Sequence, residues 1–292
     1  MVSRPQPPAP ALVLGAIASV QTGSAIARML FDDLGVAGTA LLRLVISAAI
    51  LLLVLRPALR SWTARQWRAA GLLGVALAGM NLFFYLSLDL VPLGVAVTLE
   101  FTGPLLLALV QTRRWLDFAW AAMAGVGVAL LGAQAASGDI AAVGLLLAFT
   151  AGLFWVAYIV SSARVGRVLP GVDGLAVALA IAAVLVLPFG GSQAWAIVDK
   201  PELLLGVGAV AVLSSVVPYG LELVALRRMP TRVFGVLMSL QPGAAAISGW
   251  IILDQTLGPV EWSALALVSV ASLGITLTRS SDLAEPTPEP TP

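Results

Sequence analysis

The sequence predicts an all-α integral membrane protein of ten transmembrane helices, arranged as two inverted five-helix repeats. Three observations lead there. Of 292 residues, 60% are hydrophobic and only 11% charged, and the mean hydropathy of +1.00 lies beyond the soluble range. About ten apolar stretches of spanning length follow one another. Basic and acidic residues then alternate between successive connections.

The apolar stretches lie near residues 11–28, 36–55, 67–88, 93–112, 118–134, 141–161, 172–190, 203–226, 233–253 and 260–278. Helices are the expected form, because only helices and closed barrels satisfy the backbone in lipid, and these runs lack the alternation of barrel strands. The first run follows Arg4 and has the look of a cleaved leader. It is expected to be retained, since its loss would leave an odd helix out of an even set.

The connections set the orientation. Arg4, Arg56, Arg60, Arg65, Arg68, Arg113, Arg114, Arg164, Arg167, Arg227, Arg228, Arg232 and Arg279 fall on one side. The other side holds Lys200, with Arg28 near it, and the acids Asp32, Asp33, Asp89, Asp139, Asp199, Glu202, Asp254 and Glu261. By the positive-inside rule both termini of this multi-pass chain are expected in the cytoplasm.

The chain also repeats itself. Pro92 and Pro104 lie twelve residues apart, and so do Pro230 and Pro242; each first proline opens an apolar run. Trp120 to Gly132 matches Trp262 to Gly274 in spacing. Five helices per unit is an odd number, so the second copy must be inserted upside down. Inverted repeats are common in transporters, with substrate held near the midplane where the repeats meet. The expected division is a disordered tail over 1–10, a first repeat over 11–137, a second over 138–279 and a disordered Pro-rich tail over 280–292.

Two carboxylates, Glu100 and Glu222, sit inside apolar runs. A charge at bilayer depth costs at least about 2.5–3.5 kcal/mol on insertion scales, so such residues mark a solute or proton pathway, or else a structural ion pair. Glu100 lies eight residues after Pro92, about 12 Å deep at 1.5 Å per residue. Arg43 and Asn81 fall at a similar level and Gln21 is nearly central, so the four can form one polar layer. Arg43 has two readings: a fork for a substrate carboxylate, or the partner that neutralises Glu100. Glu222 lies near Arg227 and Arg228, which could reach it. Met238 and Phe84 occupy the positions matching Glu100 and Glu222, so the charges are not symmetric although the scaffold is.

Gly103-Pro104, Pro218 and Gln241-Pro242-Gly243 place helix breakers beside these residues, freeing carbonyls and permitting bends. Phe83, Phe84, Tyr85, Trp155, Tyr158 and Tyr219 could line a cavity or simply pack. Without histidine or cysteine, Ser-His, zinc and thiol chemistry are excluded, and no Walker loop is present. No enzymatic activity, cofactor, metal, nucleic acid or obligate protein partner is expected.

Several stretches carry a resemblance. SVQTGS from Ser19, GMNLFFYLS from Gly79, VPLGVAVTLEFTGP from Val91, VPYGLE from Val217 and MPTRVFG from Met229 resemble the drug/metabolite transporter superfamily, specifically ten-helix EamA-type exporters of threonine and homoserine. The resemblance spans both halves and is most specific at LEFTGP. It implies export of small amino acids by alternating access, coupled to protons. One departure stands out: the ninth run has Gln241-Pro242 where that pattern has Glu-Pro. On this reading Glu100 binds the substrate ammonium or a proton, and Arg43 and Asn81 position the carboxylate. Gln21, Tyr85, Tyr219, Glu222 and Gln241 complete the set. The rival reading is an exporter of cationic or amphipathic drugs through the same cavity, and a more distant one is a membrane protein that transports nothing.

Overall fold

The computed structural model describes residues 7–111, 115–138, 140–169, 172–226 and 228–282, with the side chains at 223, 226, 231, 232 and 278–282 excepted. Among them, ten helices are long and apolar enough to cross a membrane: Ala9–Met29, Val36–Leu55, Ala64–Leu88, Leu93–Gln111, Trp115–Ser137, Ala142–Val168, Asp173–Ile197, Leu203–Glu222, Val233–Leu253 and Pro259–Leu277. The tails assigned to 1–10 and 280–292 fall mostly outside the described residues, as do Arg4, Arg113, Arg114, Asp139 and Arg227. Where described, helix already begins at Ala9 and continues to Asp282.

Local chemistry sets the ends. Thr63 and Gln66 form a capping box at the start of the third span: Gln66 N donates to Thr63 Oγ1, and Thr63 N to Gln66 Oε1 at 2.8 Å. Pro92 and Pro230 precede the helices Leu93–Glu100 and Thr231–Met238, where a missing N–H costs nothing. Arg56 and Asp254 close the second and ninth spans in the left-handed conformation. Large apolar side chains such as Leu205 and Val110, each 83% exposed, lie on the bundle's outside, as lipid contact requires.

With an even number of described spans, the start of the first and the end of the tenth lie on one face, called here the terminal face; the opposite one is the distal face. The second span packs on the seventh, the fourth on the ninth and the fifth on the tenth. The third packs on the sixth and seventh; the first packs on the eighth and ninth; the fourth also touches the sixth, and the second the eighth. Exchanging each span with the one five places along sends this set of pairs into itself.

Candidate functional site

Pro218 dictates the course of the eighth span. It has no N–H, so the carbonyl four residues back, that of Ser214, loses its helical donor. The chain takes a π-helical turn over Val212–Val216, a feature frequent at functional sites. Three carbonyls of this region accept from neighbouring spans: Ser214 O from Arg43 Nη2 at 3.0 Å, Leu213 O from Ser19 Oγ at 2.7 Å and Ala211 O from Ser47 Oγ at 3.5 Å. Gly23 permits the close approach, because a Cβ there would collide with Ser214 Oγ.

Arg43 is thereby fixed. Its Nη1 donates to Tyr85 Oη at 3.2 Å, and its guanidinium carbon lies 5.5 Å from the Tyr85 ring centroid. Tyr85 is wholly buried and leans on Phe31. Neutral groups therefore hold the guanidinium, and Glu100 stands beyond ion-pair distance, though within its electrostatic reach. Arg43 Nε has no partner.

The fourth span is interrupted for the same reason as the eighth. Pro104 withdraws the donor that Glu100 O would use, and the helix Leu93–Glu100 ends before Thr102–Gln111 begins. Thr102 Oγ1 covers Leu99 O at 2.6 Å. Behind the break the sixth span comes backbone to backbone: a Cβ on Gly152 would stand 2.6 Å from Glu100 O. The Glu100 side chain is thus presented at the interruption.

A cavity of about 330 Å³ opens at this level, within the range of small-molecule sites. Seven spans line it, all but the fifth, seventh and tenth. Gln21, Arg43, Asn81, Glu100, Tyr219, Glu222 and Gln241, all named from the sequence, are on its surface. Tyr85 is not among the lining residues; it stands behind Arg43 as its support. Of the other aromatics, Phe84, Trp155 and Tyr158 line the cavity, while Phe83 stacks on Phe154. Asn81 Nδ2 is bound to Leu77 O of its own helix at 2.8 Å. Gln21 Nε2 reaches Gln241 Oε1 at 3.5 Å, and Gln241 Nε2 lies 3.6 Å from Met238 Sδ. Toward the terminal face, Glu222, Tyr219 and Tyr158 share the cavity wall. Of the arginines expected near Glu222, Arg228 is exposed and Arg227 falls outside the described residues.

Sequence reasoning missed Ser24, Met80 and Ser214 on this surface. Ser24 lies three residues after Gln21 and so shares its helical face, and Ser214 is the residue whose carbonyl Pro218 frees. Both signals were available.

The distal side is closed. Leu93 N donates to Gln255 Oε1 at 2.9 Å, and Gly94 packs on Ala246. Arg28 pairs with Asp89 at 3.5 Å and Lys200 with Asp33, whose carboxylate raises the lysine pKa above its usual value. None of these residues lines the cavity, which reaches from Val97 and Phe84, about one helical turn from the distal ends of their spans, to Glu222 and Phe234 near the terminal ends of theirs.

Ten spans, seven of which line one mid-depth cavity holding an arginine and two glutamates, define a multi-span helical membrane protein with the architecture of a solute carrier. Residues 142–277 match the EamA-like transporter family. The chain is 41% identical over 276 residues to the threonine/homoserine exporter RhtA of Escherichia coli (strain K12), covering 91% of this chain and 90% of that protein. It is 42% identical over the same length to the threonine/homoserine exporter RhtA of Salmonella typhimurium (strain LT2). The chain belongs to the EamA-like transporter family, within the drug/metabolite transporter superfamily. A solved crystal structure superposes with a TM-score of 0.57 at 20% identity, covering 94% of this chain and 99% of that one, a likeness of fold alone.

Proposed function

We propose that this protein exports small zwitterionic amino acids of the threonine and homoserine kind from a bacterial cytoplasm by alternating access. The observation that carries the reading is one cavity lined by both the Arg43 guanidinium and the Glu100 carboxylate. A free amino acid presents a carboxylate and an ammonium together, and each finds its opposite there. The names of the relatives support the same solutes.

Both termini lie in the cytoplasm on this reading, supported by Arg56, Arg60, Arg65, Arg68, Arg164, Arg167 and Arg228 near the terminal face. The ties at the distal ends, Leu93 N to Gln255 and Gly94 on Ala246, support an inward-facing reading of this conformation. The two halves work as inverted five-helix units, a reading supported by helix pairs that exchange under a shift of five spans. Glu100 alternates between the substrate ammonium and a proton, which couples export to the proton gradient; Asn81 orients the carboxylate beside Arg43. Glu222, with Tyr219 and Tyr158, lies on the path toward the cytoplasm.

The purified protein in liposomes loaded with radiolabelled threonine tests this. Efflux is expected to rise with an imposed pH gradient and to vanish in Glu100→Gln. A Glu100→Gln protein that transports like the wild type removes the central assignment. The carboxylates and the aromatic wall of Phe84, Trp155, Tyr158 and Tyr219 favour a second reading, export of lipophilic cations. Competition of threonine efflux by a quaternary ammonium compound distinguishes it, and Arg43 weighs against it.

A further inference from the structure

Three buried polar atoms at the cavity have no hydrogen-bond partner: Arg43 Nε, Ser214 Oγ and Gln21 Oε1. Such atoms are rare in folded proteins and call for a ligand or a solvent molecule. Two of them, Arg43 Nε–H and Ser214 Oγ–H, are donors and suit a substrate carboxylate. Gln21 Oε1 is different. It is an acceptor, on a side chain only 1% exposed, and a carboxylate has no proton to give it.

The surroundings of Gln21 narrow the choice. Its amide nitrogen is committed to Gln241 Oε1, and the Gln241 nitrogen turns to the Met238 thioether, a weak acceptor. The pair spans the first and ninth helices, so both sides of the bundle contribute to it. An ammonium has a stronger partner in the Glu100 carboxyl group in the same cavity. What remains for a neutral acceptor beside a neutral amide is a neutral donor, and the hydroxyl of a substrate side chain is one. On the same cavity wall Val20, Met80, Val97 and Ile159 are apolar and suit the short carbon chain bearing that hydroxyl.

We propose that the Gln21–Gln241 amide pair is the specificity element of the cavity, selecting amino acids with a side-chain hydroxyl over apolar isosteres. The inference rests on the amino-acid export reading above. A site that hydrogen-bonds a substrate hydroxyl penalises the analogue lacking it, because its own polar atoms stay unpaired, whereas an apolar pocket separates the two poorly. Threonine and valine make the comparison, being equal in shape with a hydroxyl exchanged for a methyl. The wild type should prefer threonine by at least about ten-fold, short of the ~10⁴-fold of the tightest enzyme sites, because the amide pair is itself loosely engaged.

Efflux of each labelled amino acid from liposomes holding the full chain tests this in wild type, Gln21→Leu and Gln241→Leu. The Gln21→Leu variant should lose threonine efflux about ten-fold and valine efflux far less, bringing the ratio toward one. Gln241→Leu should move the ratio the same way by a smaller factor, and it serves if Gln21→Leu does not fold. Equal losses for both amino acids, or an unchanged ratio, would make the pair a packing contact and overturn the proposal. A wild type that exports both with a ratio near one overturns it too, while leaving amino-acid export standing. A wild type that exports neither removes the export reading and this inference together.

Discussion

The fourth and ninth spans break in the same way and carry different chemistry. In each, a proline opens a helix of eight residues, Leu93–Glu100 and Thr231–Met238, and a second proline twelve residues on withdraws the N–H that the last carbonyl of that helix would use. In each, a hydroxyl at the break donates at 2.6 Å to a carbonyl just before that one: Thr102 Oγ1 to Leu99 O, and Ser239 Oγ to Val236 O. Backbone geometry follows the prolines, and the prolines are repeated. The side chain at the break is a carboxylate in one and a thioether in the other. A duplicated scaffold thus presents two equivalent stations to the cavity, and only one can bind a cation. That inequality gives the site a direction.

The sharpest way to break this comparison is to alter the two stations separately. Glu100→Gln is expected to lower threonine efflux at least ten-fold, since it removes the only charge at either break. Met238→Leu, a near volume-conserving exchange, should change it by less than about three-fold. Similar losses in both variants would show that geometry rather than charge makes the station work.

The two breaks are also seated differently. The fourth lies against the sixth span with Gly103 and Gly152 backbone to backbone, whereas nothing lies within 4 Å of a Cβ added at Gly243 in the ninth. Gly152→Val should therefore lower stability by about 1–3 kcal/mol, the usual cost of overpacking. Gly243→Ala should leave stability within about 0.5 kcal/mol of wild type or slightly raise it. Thermal unfolding in one detergent compares the pair, and equal shifts would contradict the described contact.

The start of the fourth span sets a smaller effect. Leu93 N is a terminal helical donor taken by Gln255 Oε1, from the loop after the ninth span. Gln255→Ala should cost about 1 kcal/mol, the usual worth of such a bond, with the same thermal assay as its measure. Its importance is that it joins the two broken spans at the distal closure, so threonine efflux should respond more than stability does.

How much of this was legible beforehand follows the same division between backbone and side chain. Spans, breaks and the polar layer came from hydropathy, prolines and lone charges, all local signals. Tyr85 was read as cavity lining or packing, and it packs: its ring and hydroxyl hold Arg43 from behind. Arg43 was read either as a fork for a substrate carboxylate or as the partner of Glu100; what holds it are Tyr85 Oη and the Ser214 carbonyl, freed by Pro218 on a span far along the chain. Proline bookkeeping exposes the free carbonyl, but only the packing of the eighth span on the second says which donor reaches it. Close approaches such as Gly152 on Glu100 are likewise invisible until helices are placed.

The weakest expected effect lies at the distal surface, between Lys200 and Asp33. The pair is exposed, so water and salt screen it. Asp33 raises the lysine pKa above its ordinary 10.5, first through their hydrogen bond and then through charge. The sign follows from linkage: the pair's contribution is fully present below the unfolded lysine value and is lost as pH rises through the higher folded one. Lys200→Met should thus lower the thermal midpoint slightly at pH 9, with the difference shrinking toward zero at pH 11.5 or in 1 M salt. A difference that persists under both conditions would mean that the lysine stem, by packing on the closed distal side, matters more than its charge. In that case the distal contacts are held by apolar packing and not by ion pairs, and the 1 M salt comparison alone on Arg28→Met, whose guanidinium pairs with Asp89 and lies 5.3 Å from the Phe31 ring, should give the same result.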